Sequence, residues 1–459
     1  MLPQAQAFYN EGVKSLSEGS LDDAQAHFLE ALKVAPNFKE ALVNLAFVQD
    51  ARGDLVAAEK TYGCALEAGA NHFELHLNLG ALLAGLKRFD EAERSYMRAM
   101  DVDAQSSALW SNLGATYLAI HRDDDAYMCL SKALEFEPEN AKAKFNLAYL
   151  HLLRGNFREG WAYLESRDWY QGFQRVFDFP RWKGEALVNR RIVVCYEAGM
   201  GDVVQFSRYI DELREMGASH ITLVCHPPLK TLMSTLKACA QVVGFDEDVS
   251  SLSADYWTPL MSIPFYLGTD ANSIPAEIPY LSANAALVRA WGEQVPVGST
   301  RVGLAWRGNP RFENDSERSL PHFRSLLPLW AVPGVRFVSL QKGQGEEEVG
   351  QEADIQPAVS LGSEAKDFAD IAAIIANLDL VITVDTAVAH VAGALGKDCW
   401  VLLPYCMTDW RWLREGDRSA WYPLGMRLFR QRHMGNWSDT VDEVAVALET
   451  FVSTMAHEG

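Results

Sequence analysis

The first 140 residues repeat one arrangement of small and large apolar positions four times. Alanines fall in phase at Ala24, Ala58, Ala92 and Ala126, and again at Ala31, Ala65, Ala99 and Ala133, a spacing of 34 residues. Between the paired alanines stands a bulky residue, Phe28, Tyr62, Tyr96 or Leu130, and earlier in each unit a small one, Gly12, Ala46, Gly80 or Gly114. Small residues let two helices approach closely, and the large one fills the groove beside them. The pattern therefore predicts antiparallel helix pairs over 5–38, 39–72, 73–106 and 107–140, with Pro36 and Pro138 closing the first and fourth. Such a pair cannot bury its apolar face alone, so successive units must stack as a solenoid. A fifth unit near 141 keeps Leu147, Ala148, Gly155 and Phe157 but carries Gly160 in the alanine phase, which suits a capping or joining role. Tyr149, His151 and the run 122–125 read as ordinary solenoid surface.

Beyond 160 the texture changes. An aromatic-rich bridge, 161–184, holds Tyr163, Trp169, Tyr170 and Phe179. Residues 191–196 then read as a short buried strand, 197–202 as a glycine-bearing turn, 203–216 as a helix and 221–225 as the next strand. This βαβ rhythm implies a parallel sheet with a crevice at the carboxyl ends of its strands. A second α/β unit opens with a strand at 301–306, and another at 335–340 leads into Gln341, Lys342 and Gly343. In 378–396 a buried strand ends at Asp385, Thr386 opens a helix, and His390 lies one turn on along the same face. Gly393 permits close helix–sheet contact, Gly396 ends the helix, and 400–403 is the following strand. The expected organisation is an all-α solenoid over 1–160, the bridge, and two Rossmann-like α/β domains over 185–295 and 296–459.

Candidate chemistry gathers at the strand ends. Asp202 follows two glycines and opens a helix toward the crevice, although an aspartate there also serves as a helix cap. Glu197, Gln205 and Arg208 are expected to line the same cleft. Arg307, Arg318 and Lys342 place cations at strand ends in an acidic chain and suit a diphosphate; singly they would be solvated surface. Asn309 and Gln341 share their loops. The helix opened by Thr386 offers free amides and a dipole to an anion, with His390 as a further donor or as a structural histidine. Neither GxGxxG nor GxxxxGK[ST] is present. Asp246, Glu247 and Asp248 form a DxD triplet that reads as surface, and no metal site is expected. Tyr405, Trp410, Trp412, Trp421 and Tyr422 either stack on a base or sugar or pack a crossover segment between the α/β halves.

Composition narrows the partners. The net charge is −20, from 61 acidic and 41 basic residues, which opposes a nucleic-acid duplex or an anionic membrane as main partner while leaving room for a local basic pocket. No basic and apolar leader opens the chain, and no charge-free apolar run reaches about 18 residues, so a cytoplasmic location is expected. Seven cysteines without a CxxC pair suit reduced thiols rather than disulfides or zinc.

The repeats, with their Trp110, Leu113 and Gly114 cluster, resemble the tetratricopeptide repeat (TPR), whose concave surface holds a peptide or helix; so few repeats would equally serve to dimerise or brace the chain. The segments EAGMGDVVQFSRY, VGLAWRGNP, SLQKG, DFADIAAIIANLDLVITVDTAVAHVAGALG, LLPY, DWRWL and WYPLGMRLFRQ resemble the ADP-heptose:lipopolysaccharide heptosyltransferase-like family, of the two-Rossmann-domain (GT-B) glycosyltransferase class, here fused to tetratricopeptide repeats as in certain bacterial proteins. The resemblance implies a metal-independent, inverting sugar transfer from a nucleotide-sugar to a hydroxyl, with no other cofactor. It implies that Asp202 is the general base, that Asp385, Thr386 and His390 bind the donor, and that Arg318 and Lys342 offset the leaving diphosphate. The short first α/β domain leaves acceptor binding to the solenoid, which favours a polypeptide acceptor. The alternatives are an inactive scaffold and a nucleotide-sugar epimerase or hydrolase.

Overall fold

The computed structural model describes residues 2–297, 300–351 and 358–458. The chain forms two compact units, Met1–Leu147 and Ala148–Gly459.

In the first unit the helices α1 (Leu2–Ser17), α2 (Leu21–Val34), α3 (Lys39–Ala51), α4 (Leu55–Glu67), α5 (Phe73–Gly85), α6 (Phe89–Val102), α7 (Ser107–Ala119) and α8 (Asp123–Phe136) form four successive hairpins. The repeat pattern works as steric complementarity inside each hairpin. A Cβ added at Gly12 would lie 2.6 Å from the Phe28 ring, at Gly80 2.5 Å from Tyr96, and at Gly114 2.7 Å from Leu130. The in-phase alanines are fully buried with these rings. Arg88 pairs with Glu59 at 2.5 Å and Arg122 with Glu93 at 2.9 Å, each linking neighbouring hairpins; half-exposed pairs of this kind contribute little. A fifth hairpin, α9 (Ala141–Leu153) and α10 (Phe157–Leu164), falls from Ala148 onward within the second unit, ahead of the boundary at 160 that the periodicity suggests. The reason is Trp161 of α10, which is 1% exposed. Its ring packs against Phe206, Trp410 and Trp421, and its indole N–H donates to the Thr269 carbonyl at 3.0 Å.

The second unit contains two parallel sheets. The first comprises β1 (Arg191–Cys195), β2 (His220–Cys225), β3 (Gln241–Gly244) and β4 (Tyr256–Pro259) in the order β3-β2-β1-β4. The second comprises β5 (Thr300–Ala305), β6 (Val335–Ser339), β7 (Ala358–Ser360), β8 (Leu380–Val384), β9 (Cys399–Leu403) and β10 (Met426–Arg430) in the order β10-β9-β8-β5-β6-β7. Strands buried on both faces read as unbroken apolar runs, as β8 and β9 do. The strand order reverses at β1/β4 and at β5/β8, where α/β sheets open their crevices. The arrangement is GT-B-like. The helix expected over 203–216 is broken into Met200–Phe206 and Tyr209–Glu215. At the break, Ser207 donates its hydroxyl to the Val204 carbonyl and Arg208 its Nε–H to that of Gln205, and such local bonds compete with the helix ladder. The closing helix, Ser438–Glu458, packs its Val441, Val444 and Leu448 into the core of the second sheet with Leu326, Leu329 and Phe337. The segment that crosses to the first sheet is 404–424. No helix among the described residues is long and apolar enough to span a membrane.

Candidate functional site

The carboxyl ends of β1, β5 and β8 open into one cavity of about 880 Å³. Its wall includes Asp202 from the first sheet and Arg307, Asn309, Arg318, Gln341, Lys342, Asp385, Thr386 and His390 from the second.

On the first side, β1 runs into Ala198 and Gly199, and the helix Met200–Phe206 begins. Asp202 Oδ2 accepts the Gly199 N–H at 2.7 Å, so the carboxylate does cap its own helix. Its Oδ1 accepts from the Arg411 guanidinium. Arg411 is 5% exposed; it also donates Nε–H to Gln205 at 2.6 Å and Nη1–H to both oxygens of Asp409 at 2.8 and 2.9 Å. Burial pushes the Asp202 carboxyl above the usual range, while Arg411 pulls it back.

On the second side, Thr386 caps the helix Ala387–Ala394 by accepting the Val388 N–H at 3.3 Å. Burial raises the Asp385 carboxyl to about 6; Asp409 pushes it the same way, and Arg318 opposes. His390 stacks on Trp412 with centroids 5.3 Å apart, and its Nδ1 lies 3.1 Å from the Tyr422 hydroxyl. Burial, with Arg411 and Arg208 nearby, holds its pKa well below the ordinary value, so the ring is neutral. The two helix starts touch: a Cβ on Gly201 would sit 2.8 Å from His390 Cδ2.

Among the cationic candidates, Arg318 donates to Asp315 at 3.1 Å and lies over the Phe312 ring. Arg307 pairs with Glu348 at 2.8 Å. Lys342 is exposed and reaches the Ser363 carbonyl at 3.3 Å. Gln341 is a loop tie, accepting the Trp306 and Arg307 amides at 3.0 and 3.1 Å and donating to the Gln344 carbonyl. The exposed Asn309 accepts the Arg311 amide.

Three expected cleft residues sit elsewhere. Glu197 is 4% exposed and accepts two bonds from Arg167, at 2.9 and 2.7 Å. Gln205 is fully buried behind Arg411. Arg208, 2% exposed, donates to the carbonyls of Pro275 and Trp421, tying the first half to the 404–424 segment. Long polar side chains after a strand suggested a cleft, but tertiary neighbours took their hydrogen bonds. Gly393 also differs from expectation: a Cβ there would meet the Tyr422 ring at 2.5 Å, so the close approach is to an aromatic ring of the crossing segment.

Sequence reasoning passed over Arg411 and Asp409, and it assigned Tyr149 to solenoid surface. Tyr149, Asp409 and Arg411 all line the cavity. The signal available for the first two was an acid and a base alternating within the aromatic run DWRWL; Tyr149 gave none. In the aromatic group, Trp410, Trp412, Trp421 and Tyr422 are at most 1% exposed and pack among themselves and against Phe206 and His390, with Trp410 also reaching the cavity wall. Of the acidic triplet, Glu247 pairs with Lys230 and Asp248 caps a turn at Ser250. Among the described residues, no three His, Cys, Asp or Glu side chains are grouped to hold a metal ion, and none of the seven cysteines is in a disulfide.

Comparison with known proteins agrees with this division. Residues 321–401 match the model of glycosyltransferase family 9 (heptosyltransferase), and residues 73–106 match a tetratricopeptide repeat. The chain thus joins a TPR region to a segment of heptosyltransferase-like sequence. That segment contains Gln341, Lys342, Asp385, Thr386 and His390, and leaves Asp202 and Arg411 outside. The chain is 28% identical over 344 residues to Protein FlbA of Caulobacter vibrioides, covering 68% of this chain and 56% of that protein. It is 41% identical over 58 residues to the probable biofilm formation methyltransferase WspC of Pseudomonas putida, 13% of this chain and 14% of that one. The chain therefore spans little more than half of the first relative's length and a seventh of the second's. Solved structures similar to part of it include YrrB, a TPR protein with an unusual peptide-binding site (20% identity, 35% of this chain and 82% of that one, TM-score 0.31). Another is MamA (19% identity, 36% and 91%, TM-score 0.33).

Proposed function

We propose that the second unit is a metal-independent, inverting glycosyltransferase that moves a sugar from a nucleotide-sugar to a hydroxyl, and that the acceptor is a polypeptide presented by the repeats in the cytoplasm. One observation carries this reading: Asp202 and the turn bearing Asp385, Thr386 and His390 line a single cavity at the strand ends of two parallel sheets. The nucleoside diphosphate would lie against the amides that open the helix Ala387–Ala394, where the helix dipole favours an anion, with Arg318 and Lys342 alongside. An acceptor hydroxyl beside Asp202 attacks the anomeric carbon. The new carbon–oxygen bond forms as the bond to the diphosphate oxygen breaks, the bonding electrons leave with the diphosphate, and the hydroxyl proton passes to Asp202. A carboxyl raised by burial is better matched to that proton than an ordinary one, and base assistance contributes roughly 10²–10⁴ in rate. Charge compensation by fixed dipoles and cations in a dry cleft is the larger contribution.

A second reading has one observation in its favour. Both oxygens of Asp202 are already engaged, by Gly199 and by Arg411, as in a scaffold whose carboxylate is purely structural. A binding screen of the full chain against nucleotide-sugars, with Asp202→Asn and His390→Ala, separates the two. Selective binding that His390→Ala weakens and Asp202→Asn spares, with turnover lost only in the latter, supports transfer. No binding across the panel favours the scaffold, and turnover unchanged in Asp202→Asn rejects Asp202 as base.

A further inference from the structure

Behind His390 lies a set of hydrogen bonds whose protons can be counted. The Tyr422 hydroxyl is 3.1 Å from His390 Nδ1 and 3.3 Å from the Tyr280 hydroxyl. Tyr280 Oη is 3.1 Å from the Val204 carbonyl oxygen and receives an Arg208 N–H at 3.3 Å. A carbonyl oxygen only accepts and a guanidinium only donates, so the ends of this network are fixed. Each tyrosine has one hydroxyl proton. If Tyr280 gives its proton to Val204, Tyr422 must give its own to Tyr280, and Tyr422 can then only accept from His390. That assignment makes all four contacts. With Tyr422 donating to His390 instead, Tyr280 has one proton for either Tyr422 or Val204, and one of these two bonds is forfeited. In a site this buried, the assignment that makes every contact is the favoured one. The charge of Arg208, 4.7 Å from the Tyr422 ring centre, further opposes a second proton on the imidazole.

From this count we infer that His390 is held as the neutral Nδ1–H tautomer and presents a bare Nε2 to the cavity, where it accepts a hydrogen bond from a sugar hydroxyl rather than donating one to phosphate. The Nε2 and Cδ2 edge is the one beside Gly201, which lines the cavity with His390. A bare imidazole nitrogen and a phosphate oxygen are both acceptors and repel each other, so the diphosphate is left to the helix amides and the cations, and His390 selects for the sugar. Tyr422 is then a positioning residue that acts through His390. This inference rests on the proposed transfer reaction only for the identity of the ligand; the tautomer is a property of the free protein.

The test has two independent parts. In the full chain with ¹⁵N-labelled histidine, the His390 signals, assigned by their loss in His390→Asn, are expected to show a protonated Nδ1 and an unprotonated Nε2. Tyr422→Phe is expected to shift the balance toward Nε2–H. An Nε2–H ring in the native protein overturns the inference even if Tyr422→Phe fails to fold. In the second part, His390→Ala is expected to weaken binding of a nucleotide-sugar about tenfold, one hydrogen bond's worth, and that of the matching nucleoside diphosphate less than twofold. Equal weakening of both would place His390 on the phosphates and overturn the inference. Failure of every nucleotide-sugar to bind would count against the transferase reading and leave the tautomer to be judged by its spectrum.

Discussion

The two halves of the second unit meet through the same local device, a buried strand, an aspartate and the start of a helix, yet the two aspartates end in different states. Asp202 is clasped by Arg411 and by the Gly199 amide. Asp385 lines the same cavity as Asp409 and Arg318, and burial with the Asp409 charge raises it to about 6 against the pull of Arg318. The turns differ in that Asp202 lies in the first turn of its helix, where it accepts the Gly199 amide, whereas Asp385 precedes the N-cap Thr386. A further difference comes from the 404–424 segment, whose Arg411 bonds to both Asp202 and Asp409. Two strand-to-helix turns thus hold one carboxyl bonded to a buried arginine and one raised to about 6.

The strongest way to break the contrast is to remove the arginine. Arg411→Met leaves the part-buried Asp202 and Asp409 without their buried partner, at a cost of up to about 3–5 kcal/mol, the range for breaking a buried pair. Urea unfolding of the full chain, followed by the tryptophans clustered around this residue, measures it. A loss below about 1 kcal/mol would mean that water replaces the guanidinium and that the pair does not set the state of Asp202.

A smaller effect tests the other carboxyl. The folded pKa of Asp385, about 6, exceeds the ordinary value of about 3.9, so the native state holds more protons than the unfolded chain between these limits. The stability contributed at Asp385 is therefore complete below about pH 4 and falls as pH rises through 6. Asp385→Asn lacks this decline. Its unfolding free energy relative to wild type should improve by about 2–3 kcal/mol between about pH 4 and pH 7.5. A difference independent of pH would show that Asp385 titrates alike in the folded and unfolded chain.

The smallest change bears on the contact between the turns. Gly201→Ala sets a methyl 2.8 Å from His390 Cδ2 and 3.5 Å from the Ala387 Cα. The helix starts must separate at a cost of about 1–2 kcal/mol, as in other overpacked contacts. Thermal unfolding, together with a shift of the His390 ring signals, reports it; an unchanged ring environment would indicate that the helices slide apart without disturbing the site.

The sequence by itself determined the elements. The 34-residue period specified the hairpins because each small residue needs its bulky partner one helix away, as Gly80 needs Tyr96. The apolar runs specified β1, β2, β5, β6, β8 and β9, with their ends within a residue or so, but not the short β3, β4 and β7 or the last strand β10, and Gly396 in the left-handed region at φ 71° stops its helix as the sequence suggests. The turns at Asp202 and Thr386 were likewise legible, because strand, acid or hydroxyl, and helix lie next to one another in the chain. Tertiary structure alone decided which polar side chains remain in the cavity. Glu197 and Arg208 were consumed by Arg167 and by the Trp421 carbonyl, while Arg411, 209 residues from Asp202 in the chain, became its partner. Periodicity reports which face of an element is buried. It carries no information about which distant charge will be buried beside it, and in a low-dielectric interior that neighbour sets whether a carboxyl is held as an ion or left to titrate.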